Sequence, residues 1–218
     1  MFTGLIQGVA RIVAIEPLSA DGGVRLTLDS SSVPGFSAAI GDSVALNGAC
    51  MTVTALSGPR FTFDVSRESL SRTAGLDRIG EVNVETSLRL GDLIGGHLVA
   101  GHVDGVGEVV RFEPTAGSWE LVVRAPLALA RFLAVKGSVA VDGVSLTINQ
   151  VADTREGCEF SLNIIPHTYA VTSLRTLRSG SKVNIEIDQI ARYVERILAP
   201  AIESSNPAAS AGARGNPS

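Results

Sequence analysis

Cys50, Ser145 and the three histidines are the side chains in this sequence best suited to chemistry. A thiol or hydroxyl near an imidazole can supply or orient a nucleophile, and imidazole exchanges protons near neutral pH. Free cysteine is most often a small buried hydrophobe, and Cys158, beside Gly157, reads that way because nothing pairs it with a role. Cys50 reads differently because the chain is written twice. Ser43-Val44-Ala45-Leu46-Asn47-Gly48-Ala49-Cys50-Met51-Thr52 aligns with Ser138-Val139-Ala140-Val141-Asp142-Gly143-Val144-Ser145-Leu146-Thr147, which sets Ser145 opposite Cys50. Phe2-Thr3-Gly4-Leu5-Ile6-Gln7-Gly8-Val9 aligns with Val99-Ala100-Gly101-His102-Val103-Asp104-Gly105-Val106, which sets His102 opposite Leu5. Val82-Asn83-Val84-Glu85 aligns with Val183-Asn184-Ile185-Glu186, and Glu68 stands opposite His167. The copies agree on apolar residues and glycines and part company at reactive ones. That is a duplicated scaffold with divided chemistry.

His97 and His102 lie close in sequence, but no Cys, Asp or Glu set at metal-ligand spacing accompanies them, so no metal is expected. His102 is the more informative, since it replaces an aliphatic residue of the first copy. His167 and Glu68 are each followed by a hydroxyl, Thr168 and Ser69, at the end of an apolar run. For these two a solvated loop is an equal reading.

The elements that must position these groups are mostly short strands. A repeat of about 100 residues is the size of a small domain, well above a solenoid unit. In the first copy strands are expected at 9–15, 24–28, 43–46, 52–56, 61–65 and 81–85. In the second they are expected at 106–112, 119–124, 138–141, 147–151, 159–164 and 182–187. The runs are rich in Val, Ile, Thr and Phe, with partial alternation and Gly, Pro, Asp or Ser between them. Six strands in so small a domain predict a closed antiparallel barrel, because closure removes exposed edges. Helical turns are expected near 66–74 and 126–133, and the linker between copies near 88–96. After the second copy Ile187, Ile190, Ala191, Val194, Ile197 and Leu198 recur at three and four residues, the stripe of an amphipathic helix. Asp188 is placed to cap it, and Pro200 to limit it. The first copy has no such helix, so it reads as a self-association element more than as packing on its own barrel. The domain plan is 1–96 and 97–187 for the two barrels, 188–203 for the helix and 204–218 for a disordered Ser/Asn/Pro/Ala/Gly tail.

Composition narrows the function. Of 218 residues, 45% are hydrophobic and only 18% charged, which hints at surface covered by another subunit. The net charge of −4 and the lack of a basic run argue against nucleic acid, and aromatics at 5% are too few for a base-stacking platform. No phosphate-binding glycine loop or dinucleotide fingerprint occurs. No run approaches the roughly 18 apolar residues of a membrane span. Two cysteines without a secretory leader suit a reducing, cytoplasmic setting.

Taken together, Met1-Phe2-Thr3-Gly4, the Asn47 to Thr54 run, Gly95-Gly96-His97-Leu98-Val99-Ala100-Gly101-His102, Asp142 to Thr147 and Ile165-Pro166-His167-Thr168 resemble riboflavin synthase of the alpha-chain type. The motifs occur in order over roughly residues 1–198. The chain departs at Ala49, where some relatives carry a second cysteine. The resemblance implies an all-β fold of two tandem six-stranded antiparallel Greek-key barrels with a C-terminal α-helix, trimerised through that helix. It implies a transferase that dismutates two molecules of 6,7-dimethyl-8-ribityllumazine into riboflavin and a ribitylamino-pyrimidinedione, without metal or organic cofactor. Each barrel would hold one lumazine, the reacting pair meeting between the first barrel of one subunit and the second barrel of its neighbour. Association with lumazine synthase is left open.

Carried over residue by residue, the first pocket would be lined by Gly4, Leu5 and Ile6, by Cys50, Met51 and Thr52, and by Asp64, Val65, Ser66, Arg67, Glu68 and Ser69. Phe2 would pack beside it. The second pocket would be lined by Gly101, His102 and Val103, by Lys136, by Ser145, Leu146 and Thr147, and by Asn163, Ile164, Ile165, Pro166, His167 and Thr168. By the same resemblance His102 would assist proton transfer, Cys50 and Ser145 would orient or activate the nucleophile, and Thr52 and Thr147 would hydrogen-bond the ring. Asp188 would position a neighbouring group. The competing reading is a lumazine- or flavin-binding protein of the same fold without turnover.

Overall fold

Alternation along short strands produces two closed barrels. The computed structural model describes residues 1–18 and 22–205. In the first barrel the strands are β1 (Gly8–Pro17), β2 (Val24–Asp29), β3 (Ser43–Leu46), β4 (Ala49–Ser57), β5 (Arg60–Val65) and β6 (Gly80–Thr86), all paired antiparallel around the ring β1-β2-β5-β4-β3-β6. The second barrel repeats this with β7 (Gly105–Thr115), β8 (Ser118–Ala125), β9 (Ser138–Val141), β10 (Val144–Asp153), β11 (Cys158–Ile164) and β12 (Lys182–Ile187), in the equivalent ring order. Even the irregularities are duplicated. β1 slips register against β2 between Ile12 and Ala14, and β7 slips against β8 between Val109 and Arg111. The β4–β5 slip between Val53 and Ala55 recurs in β10–β11 between Ile148 and Gln150.

Every second residue points inward. Ala10 and Ile12, Leu26 and Leu28, Phe61 and Phe63, Met51 and Val53, and Val82 and Val84 fill the first core. Leu121 and Val123, Val139 and Val141, Leu146 and Ile148, Phe160 and Leu162, and Val183 and Ile185 fill the second. Cys158 is part of that second core, and burial pushes its thiol up to about 11, so it is the inert hydrophobe expected of it. Helix α1 (Arg67–Arg72) follows β5, with Ser66 Oγ capping it at 3.1 Å from Ser69 N. Helix α2 (Pro166–Val171), which opens on proline, occupies the same place after β11. The turn expected at 126–133 is a 3-10 helix over Leu127–Phe132. Sequence reasoning missed both α2 and the 3-10 turn Ser173–Thr176 after it, because neither exceeds two turns.

Helix α3 (Gln189–Ser205) is the last described element, capped as expected by Asp188, whose Oδ1 accepts Ile190 N at 2.9 Å. It continues through Pro200 to Ser205 and so overruns the expected end at 203. The remainder of the expected tail, 206–218, lies outside the described residues. Arg131 of the 3-10 turn pairs with Glu195 at 2.8 Å and seats α3 on its own barrel, while Ile190, Tyr193, Val194 and Ile197 stay exposed. Among the described residues no helix is long and apolar enough to cross a membrane.

Candidate active sites

The last strand of each barrel is buried on both faces, and this decides where the sites form. In β6, Val82 and Val84 face the core while Asn83 and Glu85 face the other barrel. In β12 the same split separates Val183 and Ile185 from Asn184 and Glu186. Asn83 donates from Nδ2 to the Asp142 carbonyl at 2.9 Å and accepts Ser173 N at 2.7 Å. Reciprocally, Asn184 donates to the Asn47 carbonyl at 2.9 Å and accepts Ala74 N at 2.7 Å. Between them Gly48 and Gly143 meet back to back. A Cβ on either would lie 2.8 Å from the other's backbone nitrogen. The barrels therefore dock about an approximate two-fold axis, in a geometry only glycine permits there.

The two carboxylates on this face hold the segments that precede each barrel. Glu85 accepts Thr3 N at 2.7 Å, Thr3 Oγ1 at 2.7 Å and Gly4 N at 3.0 Å. Glu186 accepts Ala100 N at 2.6 Å and both Gly101 N and His102 N at 3.0 Å. Burial raises the pKa of both, that of Glu186 to about 7.

These segments cross over. The Gly4 carbonyl accepts Ser145 N at 2.9 Å, and the Gly101 carbonyl accepts Cys50 N at 2.8 Å. Ile6 packs on the second core and Val103 on the first. The expected pairing is thus exchanged. Gly101, His102 and Val103 belong with Cys50, whereas Gly4, Leu5 and Ile6 belong with Ser145. The cause is physical: each segment leaves the barrel that follows it and hydrogen-bonds to the neighbouring barrel's β4 or β10. Phe2 and Val99 pair across the same seam, with Phe2 fully buried against Ala45 and Ala140.

At the first site a cavity of about 310 Å³ is lined by Ala49, Cys50 and Met51 of β4, by Glu68, Ser69, Arg72 and Thr73 on or after α1, and by Gly101, His102 and Val103 of the crossing segment. Thiol, imidazole, carboxylate and guanidinium thus share one volume. Arg72 and Thr73 went unnoticed in the sequence. The available signal was helical spacing, since they follow Glu68 and Ser69 by four residues.

At the second site Ser145 Oγ lies 2.7 Å from His97 Nδ1. Burial lowers the His97 pKa, opposed by the charge of Asp188, and so favours the neutral ring; among the described residues its buried Nε2 has no hydrogen-bond partner. A neutral Nδ1 can accept the seryl proton. Sequence comparison undervalued His97 because it lies just ahead of the aligned repeat and has no counterpart in the first copy. Leu5, about half exposed, stands near Gly95 on this side. His167 and Thr168 are on α2, which Tyr169 anchors by stacking on Trp119 with ring centroids 3.8 Å apart.

The remaining expected residues fall outside these clusters. Asp64 is held outside the barrel by Arg25, whose guanidinium pairs with it at 2.8 and 2.9 Å and lowers its pKa. Val65, Leu146 and Ile164 are core residues. Ser66 is occupied as the α1 cap, and Arg67 lies against Gly22. Asn163 accepts Ser118 Oγ at 2.6 Å. Thr52 and Thr147 are exposed, facing outward on the same side of their strands as Cys50 and Ser145. Lys136, at a left-handed φ of 67°, bonds through its N–H to the Ile148 carbonyl at 2.8 Å. Ile165 and Pro166 form the exposed start of α2. Among the described residues no His, Cys, Asp and Glu group is arranged to hold a metal.

This duplicated barrel with crossed segments matches the lumazine binding domain model twice, over residues 3–87 and 100–188. Riboflavin synthases of Photobacterium phosphoreum and Brucella abortus are 42% and 41% identical to it, covering 91% and 90% of this chain and 89% and 98% of theirs. That of Mycobacterium tuberculosis is 41% identical, covering 91% of this chain and 98% of its own. Among solved structures, LumP complexed with riboflavin superposes with a TM-score of 0.75 at 25% identity, covering 86% of this chain and 99% of that one. LumP complexed with 6,7-dimethyl-8-(1'-D-ribityl) lumazine gives 0.72 at 26%, with 85% and 98% covered. The chain belongs to the riboflavin synthase family, built from paired lumazine-binding domains. It is a transferase that moves a four-carbon unit between two lumazines.

Proposed function

We propose that each barrel binds one 6,7-dimethyl-8-ribityllumazine and that the crossed segments give the two sites their different roles. The observation that carries this is the Cys50 cavity completed by His102 from the other barrel, set against the Ser145–His97 pair completed by Gly4 and Leu5. A cavity of about 310 Å³ lies within the usual range for small ligands. Donor and acceptor are the same molecule before reaction, so the sites must be alike in shape and unlike in reactive groups. His102 serves proton transfer beside Cys50, and His97 activates the Ser145 hydroxyl. Face-to-face placement of two rings supplies the large effective molarity such a bimolecular step requires.

The exposed Ile190, Tyr193, Val194 and Ile197 face of α3 supports assembly as a homotrimer, in which the first barrel of one subunit faces the second barrel of the next. Ile197→Asp should convert the assembly to monomers in sedimentation and abolish turnover. An active monomer refutes the shared site. The catalytic assignment is tested by mixing protein with the lumazine and following riboflavin absorbance for Cys50→Ser and Ser145→Ala. Each should lower kcat by about 10²-fold, the usual scale for a positioned acid–base or nucleophile-activating group. Full turnover by both removes the assignment.

A further inference from the structure

We propose that Glu186, a side chain of the second barrel, is the positioning residue that seats His102 over Cys50 in the first barrel's cavity. The proposal rests on reading that cavity as a lumazine site.

Three consecutive N–H groups, those of Ala100, Gly101 and His102, converge on this one carboxylate at 2.6, 3.0 and 3.0 Å. Glu186 is 3% exposed and, among the described residues, has no cationic partner. Its charge is met by backbone donors alone, an arrangement that fixes the peptide and not a side chain. The other edge of the same peptide is fixed by Cys50, whose N–H donates to the Gly101 carbonyl at 2.8 Å. Gly101 fits the gap because it lacks a Cβ, which would lie 2.6 Å from Cys50 Cβ and 2.8 Å from Phe2. The segment is therefore wedged between a carboxylate of one barrel and the thiol-bearing strand of the other.

Beyond His102 the segment is held again. Asp104 N donates to the Ile185 carbonyl at 2.8 Å, and the Asp104 carboxylate accepts Ile187 N at 2.9 Å and Arg192 of α3 at 2.6 Å. His102 thus lies between two anchor points on β12. Glu85 performs the matching task for Leu5 and gains a further hydrogen bond from the Thr3 hydroxyl. Ala100 replaces that threonine in the second copy, so Glu186 alone bears the His102 segment at that point.

Alkylation of native protein by iodoacetamide tests this without reference to turnover. Cys50 is half-buried beneath the segment, whereas Cys158 is fully buried in the core and reports any loss of fold. Glu186→Gln must turn its amide N–H₂ against at least one of the three donors, and Glu186→Ala removes all three bonds. Both should accelerate Cys50 alkylation by at least about tenfold, the factor carried by one charge-assisted hydrogen bond, with Cys158 still protected. Glu85→Gln should leave Cys50 alkylation unchanged, and kcat of Glu186→Gln should fall about tenfold. Unchanged Cys50 reactivity in both Glu186 variants, or equal acceleration in Glu85→Gln, overturns the proposal. Faster alkylation with undiminished turnover upholds the seating role and instead removes the cavity from the reaction.

Discussion

Replacing Asn184 by alanine should loosen the docking of the two barrels. The Asn184 side chain, 1% exposed, donates to the carbonyls of Asn47 at 2.9 Å and Ala74 at 3.2 Å and accepts Ala74 N at 2.7 Å. Alanine leaves the Ala74 N–H and the Asn47 carbonyl without these partners, and water from the neighbouring cavity, which Asn47 and Ala74 both line, replaces them only in part. Each orphaned buried backbone group costs about 1–3 kcal/mol. Ala74 is half-buried and recovers part of its share by hydration, which leaves a net loss of about 2–4 kcal/mol. For a chain of this size that corresponds to a fall in Tm of roughly 5–15 °C. Circular dichroism through thermal and urea unfolding measures it, with Asn83→Ala as the counterpart at Ser173 and Asp142. Asn184→Asp should be no milder, because a carboxylate would face the Asn47 carbonyl. A Tm within about 2 °C of the parent for both alanine variants would show that the glycine contact and Phe2 hold the barrels without the asparagines, and the reasoning would fail.

Gly101→Ala should slow turnover and lower Tm, since its φ of +80° disfavours a side chain and the new Cβ would meet Cys50 at 2.6 Å. Gly117→Ala is the control: at φ +84° with open space around it, it should cost only about 1–2 kcal/mol and leave turnover alone. Stability should also depend on pH through Asp142 and Glu186, whose pKa values burial pushes up to about 7. Both bind protons more tightly folded than unfolded, so their contribution is fully present below the ordinary carboxylate range and is lost as pH rises through about 7. Asp142→Asn, which copies Asn47 of the first barrel, should therefore raise Tm more at pH 8 than at pH 5. A larger gain at pH 5 would contradict the sign.

How far the sequence reached can be judged at single residues. The period-2 pattern of Leu26 and Leu28, or of Phe160 and Leu162, is a local property of a strand with one face in a core, so the strands and their closure were legible without coordinates. The duplication set Ser145 opposite Cys50 and Glu186 opposite Glu85, and both pairs occupy equivalent places. Asp188 as a cap and the stripe of α3 were equally local. What remained hidden depends on contacts between barrels. Asn83, Glu85, Asn184 and Glu186 look like the solvent face of an edge strand, yet they are buried, the asparagines against the other copy and the glutamates under the segments that precede their own barrels. His97 lay outside the repeat, and its hydrogen bond to Ser145 spans 48 positions. Above all, alignment assigned Leu5 to the first site and His102 to the second, because a repeat compares each segment with its own copy. Whether a segment serves its own barrel or crosses to the next is decided by docking, where the approach of Gly48 to Gly143 and of Gly101 to Cys50 places each segment against the other barrel. The sequence by itself determined two barrels and the opposition of Ser145 to Cys50 within them. Only the tertiary structure decided that the His102 segment joins Cys50 at one cavity, because that pairing is made by the Cys50 N–H bond to the Gly101 carbonyl across an interface and not by any period along the chain.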